Sequence, residues 1–211
     1  MMNQLGFVSS VSLFVIGLLY LLVGIIGVVR TGFSHPIVDP ILAVMELITF
    51  LAAPLAVSAM AAVHTRTPVN RNTYSLVALI FMALMAGLTM SVHFVELTAF
   101  RQTGSRGLIW PSVPYALELL AWDLFLGVSL LFAARALKAE GAEGRVRLGM
   151  LIAGSLCVAG ICGPALGDMR FQFVAVAGYA VVLPIVFLAL ALLFKRDFQR
   201  HRRLQGDRSA G

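Results

Sequence analysis

Six apolar stretches of roughly 20 residues, parted by short polar connectors, constrain this chain more than any other feature of it. At about 1.5 Å of rise per residue, each stretch coiled as an α-helix crosses a hydrocarbon core of about 30 Å. Composition agrees: 60% of the residues are apolar and 12% charged, about half the charged share of a soluble domain. A soluble globule could not hide that much apolar surface. The expected fold is all-α, an integral membrane bundle of six transmembrane helices.

The spans are expected at 7–29, 40–63, 74–100, 113–134, 148–166 and 171–194, with Pro, Gly or Asn at most connectors. Residues 1–197 read as one transmembrane domain and 198–211 as a short basic tail. The first stretch has neither a basic n-region nor a small-residue cleavage site, so it is expected to stay in the mature protein. Cys157 and Cys162 fall inside one stretch, five positions apart, and fit small packing residues rather than a redox or zinc motif.

The net charge of +6 comes from 16 basic and 10 acidic residues. It does not point to nucleic acid, because the basic residues sit between and after the spans. Their placement sets the orientation instead. With a cytoplasmic N-terminus, the inner side holds Arg66, Arg71, Arg135, Lys138, Arg145, Arg147 and six tail residues: Lys195, Arg196, Arg200, Arg202, Arg203 and Arg208. The outer side holds Arg30, Arg101, Arg106 and Arg170. Both termini are therefore expected in the cytoplasm of a multi-pass protein of the bacterial inner (plasma) membrane. The tail is a stop-transfer anchor that can also meet anionic lipid headgroups.

Within the spans there is no Lys or Arg, yet there are Glu46, His93, Glu96, Glu118 and Asp123. A central charge costs about 2.5 to 3.5 kcal/mol on the insertion scale, against about 0.3 to 0.6 returned by a Leu or Phe. These acids need partners. Counted from the outer span ends, Glu46, Glu96 and Glu118 lie roughly 6 to 11 Å deep, with His93 and Asp123 deeper. Thr89, His93 and Glu96 share one helix face, and Tyr115, Glu118, Trp122 and Ser129 another. Asp123 is about 140° from Glu118 and faces a different contact. The expected site is an outward-facing pocket of Glu46, His93, Glu96 and Glu118, walled by Tyr115 and Trp122.

Three remedies for the uncompensated charge stand open. The acids can be protonated by desolvation, paired with inward-folded Arg101 and Arg170, or gathered about a transition metal ion by His93, Glu96, Glu118 and Glu46. They imply, in turn, proton- or cation-linked transport of a small solute, a non-catalytic subunit or lipid-binding scaffold, and a membrane-embedded metal-dependent enzyme. Transport is the preferred expectation. The lipid bilayer is the expected partner, with a homo-oligomer or another membrane protein as further candidates. Retinal is excluded because no span carries a lysine, and nucleotide because no phosphate-binding loop is present. The same holds for GxSxG and HExxH chemistry.

Overall fold

The computed structural model describes residues 2–32, 35–104 and 107–209, with side chains for 4–32, 35–104 and 107–199. The described residues are helical with no strand, and six helices are long and apolar enough to cross a membrane. They are α1 (Gln4–Thr31), α2 (Ile41–Arg66), α3 (Val69–Thr103), α4 (Val113–Ala136), α5 (Gly141–Leu166) and α6 (Met169–Gln199). Each packs on its neighbours in sequence, and α6 closes on α1. Arg106 and the side chains of Arg200, Arg202, Arg203 and Arg208 lie outside the described residues.

The connectors explain where the helices begin and end. Asp39 Oδ1 accepts the Ala43 N–H at 3.1 Å at the head of α2. Ser112 Oγ does the same for Tyr115 N–H at 3.2 Å in α4, where Pro114 suits a first turn that needs no donor. Gly104 (φ +69°) and Gly167 (φ +71°) stop α3 and α5 in the left-handed conformation. The expected spans match within five residues, save that α5 starts at Gly141 rather than 148. Its extra turns carry Glu143, which accepts the Lys138 N–H at 2.8 Å, so the helix propagates beyond its apolar stretch.

The chain folds both termini to one end, where Gly6 sits against Ala62 and Phe194. At this terminal end Arg66 bridges Glu143 of α5 and Asp197 of α6, each at 3.1 Å. Arg71 also donates to the Leu137 carbonyl at 2.9 Å. Above these ties the interior is filled by apolar side chains including Val63, Met82, Leu130, Met150, Leu190 and Phe194. The outward faces carry exposed Val15, Leu18, Leu22, Leu51, Ile80 and Leu192. These suit lipid contact and make the chain a multi-pass membrane protein.

Small residues set the closest helix approach. A Cβ on Gly154 would lie 2.8 Å from the Gly127 carbonyl oxygen, and one on Gly127 would lie 3.0 Å from the Gly154 oxygen, so α4 and α5 touch backbone to backbone. Gly149, Gly160 and Gly178 also meet neighbouring helices, but Gly87 has nothing within 4 Å. Gly87 therefore sets no helix approach. Pro54 lies inside an uninterrupted α2, whereas Pro184 follows a π-helical segment, Ala177–Val182. Two further π segments, Glu96–Phe100 in α3 and Leu120–Phe125 in α4, stand at the same end of the molecule as the acids.

Candidate functional site

Opposite the terminal end, the acidic end encloses a cavity of about 380 Å³. Its walls come from α1, α2, α4 and α6, with His93 contributed by α3. Leu13, Ala52, Leu183 and Phe187 form its floor and belong to the apolar core beneath. Pro36, Ile37 and Leu108, from the two longer connectors, lie over it. Glu46, His93 and Glu118 are its ionisable lining, and Tyr20, Tyr115, Trp122 and Tyr179 its aromatic lining.

His93 Nε2 lies 2.9 Å from Glu118 Oε1, with side-chain exposures of 6% and 18%. With Glu118 ionised, Nε2 must carry the proton it donates, which leaves Nδ1 as an acceptor unless the ring is doubly protonated. Nδ1, Glu118 Oε2 and Trp122 Nε1 are all buried with no partner among the described residues. Unmet buried polar atoms of this kind are costly and uncommon in native structures. Trp122 packs on Tyr179 at 5.4 Å between ring centroids, and Trp110 meets Tyr115 at 6.0 Å.

Glu46, itself 2% exposed, is compensated differently. Arg101 at the end of α3 places Nη2 3.2 Å from Glu46 Oε2 and 2.9 Å from Asp39 Oδ1. Arg101 is thus turned inward onto Glu46, with Asp39 as a second partner. The π segment Glu96–Phe100 sits just before Arg101, and the extra residue in that turn re-aims the rest of the helix.

Two expectations need correcting, for Arg170 and for Glu96, and two further residues gain named partners. Arg170 does not fold inward: its side chain is 87% exposed and pairs with Asp168 at 2.6 Å, two residues away, where no burial has to be compensated. Its hydrogen bonds hold the Asp168 carboxyl down at about 2. Glu96 does not line the main cavity. It occupies a separate recess of about 70 Å³ with Asp39, Glu46 and Arg101, closed by Gly107, where any Cβ would collide with its Oε1. Asp123, fully buried, stands off the cavity and accepts from Gln172 Nε2 at 3.0 Å. Ser129 donates to the Ala78 carbonyl of α3 at 2.7 Å, the same helix that Glu118 meets through His93.

The four expected metal ligands also do not converge. Among the described residues no three of His, Cys, Asp and Glu are grouped to hold a metal ion. Glu118 is turned to His93, Glu46 to Arg101, and Glu96 into its own recess. Sequence reasoning missed Tyr20, Tyr179 and Gln172. Gln172 and Tyr179 are seven apart on one helix face, a spacing that links them once either is suspected. Tyr20 is the single tyrosine in α1.

No protein-family model matches the chain, and neither a curated protein nor a solved structure does. The chemistry of the arrangement sets its capabilities. The His93–Glu118 pair can hold or release a proton, and the cavity presents one carboxylate without a fixed cation among mostly apolar walls.

Proposed function

We propose that this chain is a transporter of the inner (plasma) membrane that moves a small solute in a proton- or cation-linked cycle. Both termini lie in the cytoplasm and the acidic end faces outward, as the twelve-to-four bias of basic residues favours. One observation carries the proposal: a cavity holding an ionisable His–Glu pair lies between two sets of breakable arginine–carboxylate contacts. Arg101 with Asp39 and Glu46 ties the acidic end. Arg66 with Glu143 and Asp197 ties the terminal end. Alternating access requires such a site with separable closures on either side, and titration of the pair supplies a differential interaction that can bias two states.

Spin-label distance measurements in nanodiscs test this. Labels at Asn70 and Glu140 report on the terminal end, and labels at Val38 and Gln102 on the acidic end; all four positions are exposed. Reciprocal changes are expected between pH 5 and pH 8, one end widening as the other narrows. Distances that stay single and unchanged at both ends would overturn transport in favour of a fixed binding protein.

A further inference from the structure

We infer that the cavity takes a protonated amine with an apolar body, Glu118 serving as its counter-ion. The inference rests on the transport reading only for the cavity's being the solute site. The charge balance comes first. Of the two cavity carboxylates, Glu46 already faces the Arg101 guanidinium at 3.2 Å. Among the described residues Glu118 meets only the His93 imidazole, through one oxygen. A neutral His93 therefore leaves the cavity one negative charge in excess, and a bound monocation balances it.

Hydrogen-bond capacity points the same way. Donation from His93 Nε2 to Glu118 Oε1 leaves two buried acceptors unmet, Glu118 Oε2 and His93 Nδ1. An ammonium group offers up to three donors and no acceptor, and a bond from a cation to a carboxylate is about twice as strong as a neutral one. An anion would meet only like charge here, and a neutral alcohol would leave the charge unbalanced.

The walls set the rest of the ligand. Tyr20, Tyr115, Trp122 and Tyr179 surround the charged corner, and aromatic faces attract cations as well as apolar groups. Below them Leu13, Ala52, Leu183 and Phe187 offer no polar atom from their side chains. The volume of about 380 Å³ lies at the small end of ligand pockets. A single phenyl or short alkyl body with one ammonium head suits such a space.

The test uses three ligands of one shape and different charge on the full chain in nanodiscs: 4-phenylbutylammonium, 4-phenylbutanol and 5-phenylpentanoate. Calorimetric titration, corrected with empty nanodiscs, is expected to show the amine binding at least tenfold more tightly than the alcohol, and the carboxylate not at all. Glu118→Gln is expected to lose that tenfold preference while binding the alcohol as before. Glu118→Asp is expected to retain part of the preference, and Asp168→Asn, in an exposed connector, all of it. The ranking of the three ligands on the unaltered chain stands even if Glu118→Gln fails to fold. Alcohol binding as tight as amine binding, or an undiminished preference in a folded Glu118→Gln protein, would overturn the inference. Amine preference combined with pH-invariant spin-label distances would leave the ligand class standing and remove transport. Moving distances without amine preference would do the reverse.

Discussion

Glu46 keeps a carboxylate in a nearly dry position because Arg101 reaches it from the end of the next helix, sharing its guanidinium with Asp39. Arg101→Ala leaves that carboxylate without its cation, and removing one partner of a buried pair costs more than the pair contributes. Because the Arg101 side chain is itself 34% exposed, the expected loss is roughly 1–3 kcal/mol, with Glu46→Gln in the same background recovering most of it. Reversible unfolding in mixed micelles measures both. An unchanged midpoint in Arg101→Ala would show that the contact contributes nothing. Asp123 poses the same problem with a neutral partner. Gln172→Leu removes the donor to Asp123 Oδ1 and is expected to destabilise by about 1–3 kcal/mol, whereas converting both residues to leucine is expected to be close to neutral, since no buried polar atom is then left unpaired.

Helix approach in α4 and α5 depends on two glycines, while the polar side chains of α3, α4 and α6 depend on π segments. Gly154→Val puts atoms where the Gly127 carbonyl sits, so the helices must separate, at a cost of roughly 1–3 kcal/mol by the overpacking rule. Gly87→Ala meets open space and is expected to be neutral or to gain up to about 1 kcal/mol from helix propensity. Side-by-side melting of the two variants checks the contrast, and equal losses would contradict the seam. The three π segments surround the cavity rather than the terminal end. Each shifts the phase of the helix C-terminal to it, and Arg101, which faces Glu46, directly follows the π segment of α3.

For the molecule as a whole, orientation and closure are the testable properties. A reporter that fluoresces only in the cytoplasm, fused after Gly211, is expected to be bright. A phosphatase active only outside the cytoplasm is expected to be active when inserted at Gly104 and silent when inserted at Asn70. The opposite pattern would invert the proposed membrane orientation without altering the fold. Arg66 joins three helices at the terminal end. Arg66→Ala is therefore expected to lengthen the Asn70–Glu140 spin-label distance at constant pH, and an unchanged distance would show that the apolar core closes that end by itself.

The sequence by itself determined six helices, their order and most of their bounds to within five residues. These depend on transfer free energies and rise per residue, which are local and additive. It also raised the need for partners at Glu46, His93 and Glu118, because the six apolar stretches carry no Lys or Arg. The tertiary structure decided which partner each acid found: His93 for Glu118, Arg101 for Glu46 and Gln172 for Asp123. It also turned Glu96 aside and kept Arg170 outside. Pairing depends on how helices are rotated and which neighbours they meet. A π segment adds one residue of phase that a uniform helical period cannot represent. Tyr20 and Tyr179 reach the cavity for the same reason, brought there when α6 closes on α1.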